Sequence, residues 1–250
     1  MPRIRESRPL PPIRLSKILN RAGLTSRRGA EAFLASGRVT VNGEVRLEPG
    51  AQADPERDRI TVDGRPLPAP SPHRYVVVHK PRGYVSTRRD PAGRPVVVDL
   101  LPPESGRLYP VGRLDFDAEG LLLLTNDGGL ADGLLHPRYE VLRVYEAEVE
   151  GRVTDAELSR WRSGVTLPDG PAVPRAVSVL RRGARSTSLK LAFAEGRNHE
   201  VKRYCSALGH PVLRLRRVAF GPLRLGNLPS GACRPLTDTE LARLSDLRPR

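Results

Sequence analysis

The chain has 250 residues, with 42 Lys and Arg against 28 Asp and Glu, a net charge of +14. That length holds one domain and a smaller companion, and that charge points to a polyanionic partner, because each phosphate neutralised by a cation releases condensed counterions. There is no apolar run of membrane length and no strongly amphipathic helix with exposed aromatics, and Cys205, Cys233 and the five histidines show neither C-x-x-C nor zinc-ligand spacing.

Nucleic acid is therefore favoured over a membrane surface, and a disulfide framework or structural zinc is not expected. The opening MPRIRESRPLPPIRL lacks the apolar segment of a signal peptide, so a cytoplasmic, reducing location is expected.

Residues 1–11 are rich in proline and arginine with little to bury, the composition of a disordered basic arm. From Ile13 the pattern is helical: Leu15, Ile18, Leu19 and Ala22 share one face, and Gly23 is placed to end the helix. Arg14, Lys17 and Arg21 recur on the other side. Thr25 or Ser26 can cap a second helix running to Gly37, with Arg27 and Arg28 in its first turn. Cations there oppose the helix dipole unless an anion such as a phosphate sits beside them. Val39 to Val45 contains Asn42-Gly43, a strong hairpin signal, and Arg59 to Asp63 adds a further strand.

The run RLSKILNRAGLTSRRGAEAFLASGRVTVNG resembles the S4 RNA-binding domain across its length. Taken singly, Arg14, Lys17, Arg21, Arg27, Arg28 and Arg38 could be an ordinary solvated face; clustered on one such module at 12–66, they are expected to contact RNA. The proline-rich PAPSP lies in a stiff linker, 67–73.

A second domain, 74–236, opens with the buried strand Tyr75 to His79 and a Lys-Pro-x-Gly turn, where Lys80 reads either as a phosphate contact or as a surface lysine. Val96 to Leu101 is another apolar segment. Gly112 to Gly128, GRLDFDAEGLLLLTNDG, sets Arg113, Asp115, Asp117 and Glu119 against four leucines, which suggests a carboxylate at the rim of a buried strand. An acidic loop leading into a core strand explains the same pattern. Calcium is excluded because the later ligand positions of an EF-hand loop would fall on Leu121 and Leu123.

Gly128 to Leu135 can form a short helix stopped by Pro137, and Arg143 to Glu150 alternates with Tyr145 facing inward. Thr154 with Glu157 and Thr237 with Glu240 form capping boxes, the second opening a C-terminal helix and tail at 237–250. Strands are expected near 176–180, 188–193 and 212–220. Between the last two, Glu195 to Arg203 precedes the apolar stripe of Val201, Tyr204, Cys205 and Leu208, with Asn198 able to cap that helix. Arg197, Lys202 and Arg203 could form a solvated basic turn, or snorkel toward a cleft.

GRLDFDAEGLLLLTNDG resembles the signature of the bacterial ribosomal RNA pseudouridine synthases of the small-subunit-enzyme type, and the Lys-Pro-x-Gly turn, the EGRNHEVKR segment and the LGNLPSGACRPLTDTE stretch extend the likeness. The resemblance implies an α+β protein: a small S4-type domain of two helices plus a hairpin, then a synthase domain with a mixed, mostly antiparallel sheet flanked by helices. It assigns catalysis to Asp115 paired with Lys202, stacking of the target uracil to Tyr145, and holding of the displaced nucleotide to Arg113. Arg197 and Arg203, with Lys80, are expected at the RNA. The family usually has lysine at Arg143, glutamine at Glu200 and methionine at Tyr204; Glu200 could compete for Lys202 or turn outward.

The implied reaction converts uridine to pseudouridine with no cofactor and no metal. The expected partner is ribosomal RNA, by overall likeness 23S RNA or a large-subunit precursor, acted on by a monomer. Small-subunit ribosomal RNA, transfer RNA, a non-catalytic role in ribosome assembly and a metal-dependent nuclease using Asp115 and Asp117 are the alternatives.

Overall fold

A computed structural model describes residues 12–69 and 71–247, and the side chain of Arg27 is not among the described parts. The expected basic arm at 1–11 and the Arg-Pro-Arg end at 248–250 lie outside the described residues. The chain divides into two compact units between Pro72 and His73.

The first unit runs β1 (Ile13–Arg14), α1 (Leu15–Arg21), α2 (Arg27–Ala35), β2 (Val39–Val41), β3 (Glu44–Val45), β4 (Gln52–Ala53), β5 (Ile60–Val62) and β6 (Arg65–Pro66). Leu15, Ile18 and Leu19 on one face of α1 pack with Ala30 and Leu34 of α2 against Val39, Val41, Ile60 and Val62. Helices this short hold together through such burial, each large apolar side chain contributing about 1.5–3 kcal/mol. Ser26 is the cap of α2, accepting from the Gly29 amide at 2.9 Å. Asn42 and Gly43 have φ of 55° and 89°, as a tight hairpin turn requires, and the Asn42 side chain bonds Asp58 and the Arg59 amide. The small sheet has the order β3-β2-β5-β6, with β1 and β4 pairing separately.

The second unit runs β7 (Tyr75–Lys80), β8 (Tyr109–Pro110), β9 (Glu119–Thr125), α3 (Gly128–Leu135), β10 (Arg143–Glu150), α4 (Asp155–Ser163), β11 (Val165–Leu167), β12 (Gly170–Ala172), β13 (Ala176–Arg182), β14 (Ser186–Phe193), α5 (Glu200–Ala207), β15 (Val212–Phe220), β16 (Leu223–Arg224), β17 (Cys233–Pro235) and α6 (Asp238–Ser245). Its main sheet has the order β13-β14-β10-β15-β9-β7-β17, antiparallel except where β15 runs parallel to β9. This is the mixed, mostly antiparallel α+β arrangement that the sequence implied.

The leucine run fills β9 because that strand is buried on both faces. Leu122 and Leu124 join a core with Trp161, Phe193 and Tyr204, and Leu121 and Leu123 join a second core with Leu130, Leu134 and Phe220. Gly120 sits where β9 meets β15: its φ is +117°, and a Cβ there would lie 2.3 Å from the Arg217 carbonyl oxygen. Only glycine lets the two backbones approach this closely.

Both capping boxes are present, Thr154 with Glu157 and Thr237 with Glu240. Asp127, read as part of a turn, caps α3 through the Gly129 and Leu130 amides. The apolar segment at 96–101 is a 3-10 turn over Val97–Leu100. The hairpin of β11 and β12 was not anticipated, its strands being three residues each with a proline in the second.

Candidate active site

A cleft in the second unit is lined by Gly112, Arg113, Leu114, Asp115 and Ala118 from the loop before β9, by Arg143 and Tyr145 of β10, by Gly196, Arg197 and His199 to Lys202 around the start of α5, and by Leu215 and Arg217 of β15. The cleft is open to solvent on one side.

Three ties fix the loop carrying Asp115. The Lys80 ammonium donates to the carbonyls of Pro81, Asp115 and Ala118 at 3.0, 2.9 and 2.7 Å. Ser86 accepts from the Leu114 amide at 3.0 Å and donates to the Leu114 carbonyl at 2.8 Å. The Gly83 amide donates to the Phe116 carbonyl at 2.7 Å. The acid thus stands just before a strand buried on both sides, with its backbone held from the β7 end.

Lys80 is therefore corrected from surface residue to buried brace. It is 0% exposed and all three of its donors are taken by carbonyls, which leaves none for a phosphate. Burial pushes its ammonium down to about 8, against the upward pull of Asp115, Asp117 and Glu119.

Across the cleft, α5 brings Lys202 within 3.1 Å of Asp115 Oδ2 and 2.5 Å of Asp117 Oδ1. Burial lowers the Lys202 ammonium, but its hydrogen bonds and charge contacts with Asp117 and Asp115 outweigh that and raise it overall. The hydrogen bond from Lys202 holds the Asp117 carboxyl below its ordinary value. His199 comes to 3.4 Å from Asp115 Oδ1. Sequence reasoning missed it, because it took Asn198 as the cap of α5. The cap position is His199 itself, at a left-handed φ of 50° and with no side-chain capping bond.

Arg113 is exposed on the cleft wall and forms no ion pair with Asp115, so Lys202 is the cation at that carboxylate. Tyr145 lines the same cleft at 9% exposure, opposite Arg217 in the strand register and beside a β-bulge. Arg143 is buried and donates to the Val141 and Ala194 carbonyls, both at 2.8 Å, and desolvation lowers its guanidinium. A Cβ on Gly196 would lie 2.9 Å from Arg143 Nε, which accounts for glycine at that position.

Arg197 and Arg203 have their charge paired with carboxylates within the unit. Arg203 grips Asp169 through two bonds of 3.0 and 2.8 Å, and Arg197 bridges Asp169, Glu195 and Glu200. Glu200 neither competes for Lys202 nor turns outward: it is buried, pairs with Arg197 at 3.1 Å, and desolvation raises its carboxyl. Asp169, in the β11–β12 turn, thus anchors the start of α5. A residue pairing over such sequence distances leaves no local signal.

In the first unit Arg14, Arg21 and Arg28 are exposed and Lys17 is half-buried, with no acidic partner among the described residues. Arg38 differs, pairing with Asp63 at 2.6 Å and lying 4.0 Å above the Phe33 ring. No cluster able to hold a metal ion occurs among the described residues, and no helix there is long and apolar enough to cross a membrane.

Residues 74–207 match the family model described as RNA pseudouridylate synthase, and residues 13–60 match the S4 domain. An uncharacterized RNA pseudouridine synthase of Aquifex aeolicus is 46% identical over 233 residues, 93% of each chain. The ribosomal large subunit pseudouridine synthase B of Bacillus subtilis is 39% identical over 236 residues, 94% of this chain and 96% of that one. A crystal structure of a pseudouridylate synthase matches with a TM-score of 0.67 at 30% identity, covering 93% of this chain and 99% of that one.

Proposed function

The chain belongs to the RNA pseudouridylate synthase family, and from that premise we propose that it isomerises a specific uridine of large-subunit (23S) ribosomal RNA or its precursor, with Asp115 as the catalytic carboxylate. The observation that carries this reading is the ion pair of Asp115 with Lys202 at 3.1 Å, inside a cleft that Tyr145 and Arg113 also line. The large-subunit assignment draws on relatives of that name in Bacillus subtilis and Pseudomonas aeruginosa.

The reaction breaks the C1′–N1 bond, turns the uracil and forms a C1′–C5 bond; C5 loses a proton and N1 gains one. Atoms and electrons balance without an external reactant. A base within a helix is out of reach, so the uridine must be flipped out or already unpaired. Unstacking costs a few kcal/mol, and stacking on an aromatic ring returns about 1–3 kcal/mol. Tyr145 is suited to be that ring. Asp115, held by the Lys80 and Ser86 ties, acts as nucleophile on the sugar or as the group that moves the proton. Lys202 fixes its orientation and balances its charge. Arg113, exposed at the cleft wall, is placed to hold the displaced nucleotide or its phosphate.

Arg14, Lys17, Arg21 and Arg28 on the S4 unit supply sequence-independent grip on the RNA backbone. The free thiols of Cys205 and Cys233 suit the reducing cytoplasm.

Pseudouridines mapped in ribosomal RNA from cells with and without the protein test the reading directly. One large-subunit site should be lost on deletion, restored by the wild-type chain and not by Asp115→Asn. Restoration by Asp115→Asn would remove Asp115 from the chemistry, and loss of a small-subunit or transfer RNA site would change the substrate.

A further inference from the structure

Arg217 stands apart from the other buried cations of the second unit. It is 3% exposed and lines the cleft. Its Nε donates to the Leu121 carbonyl at 2.9 Å, and its guanidinium lies 5.2 Å from the centre of the Phe220 ring. No carboxylate pairs with it among the described residues, and its Nη2 is buried with no hydrogen-bond partner. By contrast, Lys80 has three carbonyls, Arg143 two, and Lys202 two carboxylates.

A buried donor left open is uncommon and asks for an acceptor that arrives from elsewhere. The strand register sets Arg217 directly opposite Tyr145, in the cleft that also holds Asp115. Gly120 has no side chain to interpose, so the Arg217 backbone packs straight onto β9 and the position of its side chain is fixed from below.

We infer that Arg217 recognises the target base, its open Nη2–H donating to a carbonyl oxygen of the uracil that lies against Tyr145. This rests on the reading that a uridine enters the cleft. Uracil offers two acceptor oxygens, at C2 and C4; cytosine shares the C2 oxygen but carries an amino group at C4, so only a bond to the C4 oxygen sets donor against donor and separates the two bases. A site built around a desolvated donor rejects an analogue that cannot accept from it, because the donor is then left unpaired.

The test uses a synthetic RNA containing the uridine identified by the mapping above, with that position as uridine, 2-thiouridine or 4-thiouridine, sulfur being the weaker acceptor. Single-turnover rates are measured for wild type, Arg217→Met and Arg217→Lys, with a melting temperature for each protein. Wild type is expected to process one thio RNA about tenfold or more slowly than the uridine RNA, and Arg217→Met to process those two at equal rates. Arg217→Lys keeps the cation but loses the fork, so it is expected to lose the discrimination too, and it serves if the methionine variant does not fold. Discrimination retained by a folded variant, or a wild type that treats all three RNAs alike, overturns the inference. A wild type that forms no pseudouridine on the uridine RNA overturns instead the reading on which it rests.

Discussion

In the first unit Arg14, Arg21 and Arg28 stand in solvent without acidic partners among the described residues, while in the second Arg197 and Arg203 converge on Asp169 and Lys202 spans Asp115 and Asp117. The residue types are alike and their surroundings are opposite. Unpaired surface cations keep their charge for a polyanion. Cations already paired within the fold spend it on holding a helix and an acid in place, so net charge says how strongly RNA is attracted and nothing about where the chemistry sits.

The largest expected effect is at the paired end of this comparison. Lys202→Met should lower the rate of pseudouridine formation by about 10²- to 10³-fold while RNA affinity changes only a few-fold, because the charge lost faces Asp115 and not the RNA backbone. Single-turnover rates and filter binding on one RNA check this. A variant that loses affinity and keeps its rate would move Lys202 to the binding side.

Next is the buried brace. Lys80 is held at about 8 when folded, against 10.5 for a free lysine. Between those values the unfolded chain binds more protons than the folded one, so stability from this group rises with pH over that window. The unfolding free energy of wild type should therefore gain up to about 3 kcal/mol on Lys80→Met between pH 8 and 10.5. Parallel stability curves for the two proteins would mean that the ammonium is not desolvated.

The smallest effect belongs to the unpaired cations. Reversing Arg14, Arg21 and Arg28 to glutamate should flatten the slope of log affinity against log salt by about 2 to 3, with the loss appearing in KM. Arg203→Gln should leave that slope unchanged and lower the melting temperature slightly instead. If the two changes act alike on the slope, the contrast between the units fails.

What the sequence disclosed follows the same division. The S4 helices, the Asn42-Gly43 hairpin, the alternation of β10 and both capping boxes are local patterns, each written within a few residues. The leucine run and its acid were legible because a strand buried on both faces must be continuously apolar. Lys80 was not, since a lysine beside a proline looks like a surface turn, and only the fold brings three carbonyls around it. The same holds for Asp169, His199 and Arg217. Their partners lie tens of residues away or across a sheet, and the β-bulge between Val144 and Tyr145 alters the pairing that simple alternation would assign.

The parallel seam of β9 and β15, closed at Gly120, joins residues on the order of a hundred positions apart. Loop-closure entropy makes such a pairing late in folding, after the local hairpins have formed. Because Asp115 precedes one side of the seam and Arg217 lies on the other, a chain emerging from the ribosome carries a finished S4 module well before it carries a working catalyst. Nascent protein could therefore dock on RNA before it is able to modify it.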